Sequence, residues 1–233
     1  MVTYSIIIPA YNEEKRIGNT LREYGEYLKK NKISSEILVI LNGCKDNTLK
    51  IVKKKAKTYK QIKYKNIKEP IGKGGALIEG FKLAKGKYIS YVDADNSTKV
   101  YQLEELFNEL NGYDGVIGSR WLEDSVIMIK QSLSRQVASR GFNFLVRKIL
   151  KLPFKDTQAA AKVFKKTAIK KILPTLKLAN WGIDVSILYS LSQKKYKIKE
   201  VPICWQDDPN STLKMQNAIP NMFWTVMKLR FKK

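Results

Sequence analysis

The residue types with the most direct chemistry are Asp93 and Asp95, separated by Ala94 and placed straight after the apolar run Tyr88–Val92. On an extended backbone, side chains at i and i+2 point the same way, so the two carboxylates stand side by side and repel unless a cation lies between them. Mg²⁺ or Mn²⁺ suits that role, because each takes oxygen ligands from few carboxylates and completes its shell with phosphate oxygens. The competing reading is a polar turn that merely ends a strand. Gly72-Lys73-Gly74-Gly75 opens a helical pattern, where backbone amides and the Lys73 ammonium can face a diphosphate. A flexible turn is the alternative, and the spacing of a Walker loop is absent.

A second group is cationic. Arg120, Arg135 and Arg140 carry guanidinium forks that match phosphate oxygens. Residues 125–183 hold 13 basic side chains and one acid, Asp156. Isolated among cations, that carboxyl is expected to stay ionised with a lowered pKa. It is a candidate to orient an acceptor or to act as a base, against an internal salt bridge with a neighbouring arginine. Asp184, beside Trp181, is the second candidate, against a simple helix cap. The chain has no histidine, and Cys44 and Cys204 stand far apart. Histidine-based triads and zinc sites are therefore excluded, and any base must be a carboxylate, lysine, tyrosine or cysteine.

The elements that must position these groups follow from periodicity. Residues 1–118 alternate strands, near 4–9, 36–41, 62–65, 88–92 and 115–118, with helices near 13–30, 48–59, 76–84 and 101–110. That alternation predicts an α/β fold with a mainly parallel sheet sandwiched by helices. Ligands in such sheets bind beyond the carboxyl ends of the strands, where Ala10-Tyr11-Asn12, Asn42-Gly43, Asp93–Asp95 and Ser119-Arg120 all fall. The second half is less regular: an acid-free amphipathic stretch near 132–150, a short strand, two helices, a strand at 198–203 and a basic amphipathic tail. No linker or repeat interrupts 1–233, so one domain is expected: 1–120 for one ligand, 121–215 for a second, and 216–233 as the tail.

Net charge is +23, split as +6 over residues 1–124 and +17 over residues 125–233. A polyanionic partner for the second half follows, either an anionic membrane, a phosphorylated substrate or a nucleic acid. Nucleic acid fits poorly with Asp93 and Asp95, which repel phosphate unless a metal intervenes. The tail mixes Met222, Phe223, Trp224, Met227, Leu229 and Phe231 with Lys and Arg, the pattern of an interfacial helix, or of a helix packed on the domain. No stretch approaches the roughly 20 apolar residues of a bilayer span. The strand signal begins at Tyr4 with no signal-peptide pattern before it, so a cytoplasmic protein, peripheral at the inner face of the cell membrane, is expected.

Together these segments resemble glycosyltransferase family 2, with its GT-A fold. The resemblance rests on Ser5-Ile-Ile-Ile-Pro-Ala-Tyr-Asn-Glu-Glu14, Asn42-Gly-Cys-Lys-Asp-Asn-Thr48, Gly72-Lys-Gly-Gly-Ala76 and Tyr91-Val-Asp-Ala-Asp95, in that order. Within the family, the dolichyl-phosphate glucosyltransferase and dolichol-phosphate mannose synthase branch is the most similar. Gly118-Ser-Arg120, Ser134-Arg135, Arg140, Asp156-Thr-Gln158, Trp181-Gly-Ile-Asp184, Val201-Pro-Ile203 and Ser211 carry that likeness. It implies inverting transfer of a hexose from a UDP- or GDP-sugar to a polyprenyl phosphate, with Mg²⁺ or Mn²⁺ as cofactor; a soluble sugar, protein or polyol acceptor is the alternative. Pro9, Ala10, Tyr11, Glu13, Asn42, Lys73, Asp93, Ala94, Asp95, Ser211 and Lys214 become the donor-side candidates. Arg120, Arg135, Arg140, Gln158, Trp181 and Asp184 become the acceptor-side ones, and Asp95, Arg120 and Asp156 the catalytic ones. Two departures stand out: Leu41-Asn42 replaces the family's usual Asp pair, and Ala159-Ala160 replaces Cys-Gly.

Overall fold

A computed structural model describes residues 2–129, 133–176, 182–206 and 215–231; within these, the side chains of 129, 133–135, 137, 138, 206 and 215–221 are left out of the description. The chain runs β1 (Tyr4–Ala10), α1 (Ile17–Lys30), β2 (Ser35–Asn42), α2 (Thr48–Thr58), β3 (Ile62–Ile67), α3 (Gly72–Leu83), β4 (Tyr88–Tyr91), α4 (Val100–Asn108) and β5 (Gly115–Ser119). The second half adds β6 (Val126–Ile129), α5 (Leu133–Leu150), β7 (Lys162–Lys165), α6 (Lys166–Ile172), α7 (Ile183–Gln193), β8 (Ile198–Pro202), β9 (Cys204–Gln206) and α8 (Met215–Phe231).

Seven strands form one sheet in the order β3-β2-β1-β4-β7-β5-β8, and β6 pairs with β9 separately. The expected parallel frame holds for β3-β2-β1-β4 and for β5-β8, but β7 lies antiparallel between β4 and β5. From β1 the chain steps one way to β2 and β3, then returns to place β4 on the other side. The crevice between β1 and β4 is therefore the topological switch point.

Both faces are covered, which is why β1 and β2 read as continuous apolar runs. Ile6, Ile8, Ile37, Val39 and Leu41 pack towards α1 and α4, while Ile7, Leu38 and Ile40 pack towards α3 and the helices of the second half. The edge strand β3 is exposed and carries Lys63 and Lys65, charges that discourage edge-to-edge pairing.

Helix α3 starts at Gly72, four residues before the glycine-poor stretch from which its start was predicted. Intrinsic propensity argues against so many glycines in a helix, but close packing requires one of them. A Cβ on Gly80 would collide with Ile7 Cγ2, a fully buried side chain at the centre of β1. Gly80→Val should thus cost about 1–3 kcal/mol in urea unfolding. Gly141→Ala, at a helical glycine with open space around it, should instead stabilise by about 0.5–1 kcal/mol. Equal effects of the two would contradict this packing.

Candidate active site

Four strand ends and two helix starts meet at one edge of the sheet. After β1, Asn12 takes a left-handed backbone (φ 54°) and its Oδ1 accepts from Lys45 N at 2.8 Å. The amide of Glu13 donates to Thr48 Oγ1 at 2.7 Å, and Asp46 accepts from both the amide and the hydroxyl of Thr48, so Asp46 rather than Asn47 closes the start of α2. Pro9 faces the crevice side, where β4 pairing already ends at Ile7 and Tyr91, so its missing N–H breaks no ladder bond. Ala10 is buried and its carbonyl accepts from Cys44 Sγ; Tyr11 is half exposed.

Asn42 ends β2 and accepts from the amide of Ile71 at 2.6 Å, tying that strand to the start of α3. Gly43 follows at φ 68°, with Pro70 so near that a Cβ would meet its backbone. The Asn42 oxygen is thus spent on the backbone, which leaves its amide nitrogen as the group to meet a ligand.

The carboxylate pair lies beyond β4. Asp93 Oδ1 meets Lys73 Nζ at 2.7 Å, and Asp95 Oδ1 accepts from Ser97 N at 3.0 Å. The Ala94 carbonyl accepts from Thr20 Oγ1 at 2.7 Å, which pins the turn to α1. Burial pushes the Asp95 carboxyl above its ordinary value and the charge of Asp93 adds to this, against Ser97 and Arg16. Glu13 is likewise raised by burial, with Asp95 and Asp93 contributing, although Arg16 grips it bidentately at 2.7 Å. Three acids therefore crowd one mouth with too little positive charge to satisfy them. Among the described residues no three His, Cys, Asp or Glu side chains are grouped so as to hold a metal by themselves.

Lys73 also lies 4.0 Å from Asp184, at the start of α7. Burial would lower the Lys73 pKa, but Asp93 and Asp184 outweigh it and hold the ammonium above its ordinary value. Asp184 accepts from Tyr91 Oη at 2.6 Å and Lys162 Nζ at 2.9 Å. Burial opposes its ionisation, yet Lys162 and Lys73 hold it below the ordinary range. Asp184, expected on the acceptor side, makes its contacts with Lys73, Lys162 and Tyr91. It makes no cap hydrogen bond.

Arg120 stands at the end of β5. Its Nε and Nη2 grip Asp156 Oδ2 and Oδ1 at 2.7 and 3.0 Å, and its backbone amide donates to Oδ2 at 3.1 Å. Asp156 is 0% exposed and also accepts from the amides of Gln158 and Ala159. Burial disfavours the charge, but Arg120 holds the carboxyl below its usual range. Both Asp156 oxygens are thus filled from within the protein. The internal salt bridge is what forms, and Asp156 positions Arg120. The guanidinium lies 5.5 Å from the Trp121 ring and 5.2 Å from Trp205, while Arg140 sits 4.8 Å from Trp121. Arg120 and Arg140 are thus brought to one indole. Gln158 donates to Met222 Sδ at 3.2 Å and so fastens this segment to α8. Ser211, Lys214 and Trp181 lie outside the described residues, as does the side chain of Arg135.

Sequence reasoning missed Lys162, Tyr91, Trp121, Trp205 and Glu200; the last accepts from the amides of Lys155 and Asp156. The profile of Glycosyl transferase family 2 matches residues 5–173. The chain belongs to that family. A dolichyl-phosphate beta-glucosyltransferase of Dictyostelium discoideum is 32% identical over 98% of the chain and 74% of the relative. One of Saccharomyces cerevisiae is 34% identical over 94% of the chain and 70% of its own length. Among solved structures, glucosyl-3-phosphoglycerate synthase from Mycobacterium tuberculosis, in complex with Mg²⁺ and UDP, matches over 98% of the chain and 79% of that protein, with a TM-score of 0.69 at 12% identity. That likeness supports the GT-A fold.

A folded-state pKa raised above the ordinary value means that the neutral carboxyl is the form the fold favours. Asp95 therefore contributes stability below the ordinary carboxylate range, and loses it as pH rises through its raised value. Asp95→Asn, always neutral, should melt higher than the parent at neutral pH in chelator, and the gap should close towards about pH 4. A lower melting point at neutral pH would contradict the crowding.

Proposed function

We propose that the chain is an inverting glycosyltransferase that moves a hexose from a nucleoside-diphosphate sugar to a polyprenyl phosphate such as dolichyl phosphate. The names of its near-full-length relatives favour glucose as the hexose. The single observation that carries the acceptor half is a guanidinium held ready for a phosphate: Arg120, oriented by buried Asp156 and flanked by two indoles, with Arg140 beside it.

An oxygen of the acceptor phosphate forms the new bond to the sugar C1 as the bond from C1 to the diphosphate breaks, and the diphosphate departs with the electron pair. A phosphate monoester is largely ionised at neutral pH, so the acceptor needs placement more than a base. Arg120 and Arg140 supply that placement as cations. Lys73 faces the departing diphosphate. Mg²⁺ or Mn²⁺ held by Asp93 and Asp95 would supply most of the neutralisation of that leaving group. Asn42 offers its amide nitrogen to the base, uracil or guanine, and Glu13 with Arg16 lines the mouth on the donor side.

The acceptor's lipid calls for a membrane surface. Among the described residues no helix is long and apolar enough to cross a membrane. Helix α8 buries Met222, Thr225 and Val226 yet leaves Phe223, Trp224 and Phe231 exposed, at 41%, 61% and 72%. Neighbouring α5 exposes Phe144 and Leu145, and Arg147, Lys148, Lys228 and Arg230 lie on the same two helices. Apolar rings among cations suit an anionic leaflet, with the protein peripheral at its cytoplasmic side. Packing on the domain and presentation of rings are thus two faces of one helix.

Incubation with UDP-[¹⁴C]glucose, Mn²⁺ and dolichyl phosphate in detergent micelles should give label that extracts into organic solvent. Label that appears only on soluble sugar, protein or polyol acceptors would overturn the lipid acceptor. Arg120→Lys, which keeps the charge but loses the fork, should lower kcat/KM for the lipid about 100-fold. Substituting Phe223, Trp224 and Phe231 together by Ser should abolish sedimentation with phosphatidylserine vesicles while leaving the secondary structure intact; unchanged sedimentation would refute the membrane face.

A further inference from the structure

Lys73 has two carboxylates within reach and only one is engaged. Its Nζ is 2.7 Å from Asp93 and 4.0 Å from Asp184. Asp93 stands at the open mouth, whereas Asp184 is held from behind. Lys162, 0% exposed and in the middle of the sheet on β7, donates to Asp184 and to the Ala159 carbonyl, and Tyr91 donates to the same Asp184 oxygen. The Asp184 oxygen facing Lys73 carries no other hydrogen bond among the described residues. Lys162, Asp184, Lys73 and Asp93 thus form a row of alternating charge that ends at the carboxylate pair. Its third member sits on a flexible four-carbon stem.

Resting on the metal reading above, we infer that Lys73 is a displaceable counter-ion. In the ligand-free protein its ammonium neutralises Asp93. When a divalent cation and a nucleoside diphosphate arrive together, it gives up Asp93 and moves to Asp184 and the diphosphate. The physical ground is competition: an ammonium 2.7 Å from one Asp93 oxygen repels a divalent cation bound at the same carboxylate, and that single negative charge cannot neutralise both. A cation alone must evict the ammonium from its best partner and offers nothing in return. A cation with a diphosphate supplies the new anion. Binding of the two is therefore cooperative, and thermodynamic reciprocity requires each to strengthen the other by the same factor. Asp184 and Lys162 are positioning residues for the second seat.

The test is the binding of Mn²⁺, read from the resonance signal of the free ion, with and without UDP. In the parent protein UDP should tighten Mn²⁺ by about tenfold or more. Lys73→Gln removes the competitor, so Mn²⁺ alone should bind about tenfold tighter and the gain from UDP should shrink by a similar factor. Lys73→Arg keeps a cation there and should behave as the parent does. Asp184→Asn removes the second seat and should weaken Mn²⁺ binding in the presence of UDP; if that variant fails to fold around Lys162, the two Lys73 variants decide the matter. Binding of Mn²⁺ alone to Lys73→Gln that is equal to or weaker than the parent's overturns the inference. Failure of the parent to bind Mn²⁺ even with UDP overturns the metal reading itself, and this inference with it.

Discussion

The site is governed by the need to balance charge where Asp93 and Asp95 emerge side by side at the open end of β4. Glu13 adds a third carboxylate to the same mouth, and burial there makes Glu13 and Asp95 more costly to ionise. Among the described residues of the first half, Arg16 and Lys73 are the cations that meet these carboxylates. The row running back through Asp184 to Lys162 follows from that shortage. A lysine buried in mid-sheet would be untenable without Asp184, and Asp184 would be untenable without Lys162 and Tyr91. The antiparallel strand β7 is what brings the two halves together, since it sets Lys162 opposite Tyr91 and Ile117.

The proposed acceptor side, around Arg120 and Arg140, solves the opposite problem, an excess of cations. Asp156 is spent entirely inside the protein to orient one of them. Its oxygens receive Arg120 and backbone amides, and Glu200 braces its own amide. The guanidinium that results is rigid and bordered by aromatic rings, a suitable surface for a phosphate whose lipid must stay outside. The two cations are held differently: the arginine is gripped bidentately by a buried partner, while the lysine has two carboxylates within reach.

Much of this was legible in the sequence. The alternating apolar runs of β1 and β2, the carboxylates at a strand's end and Lys73 at a helix start follow from periodicities of two and 3.6. What was illegible depended on distance along the chain. Lys162 is one of many basic residues between 151 and 171, and nothing local marks it as the buried one. Trp205 meets Arg120 only because β5 and β8 pair and β9 follows β8, so no spacing reveals it, whereas Trp121 is Arg120's own chain neighbour and was simply passed over. Asp156 was singled out for its rarity, but rarity does not tell a group that faces ligand from one buried behind it. Gly80 within α3 is a case where close packing against Ile7 overrides propensity.

The most direct test is a crystal structure with Mn²⁺ and UDP, with the metal located by its anomalous signal. The account predicts a peak at Asp93 and Asp95, and Lys73 Nζ nearer to Asp184 than to Asp93. A peak elsewhere, or a lysine still paired with Asp93 beside the bound metal, would contradict it.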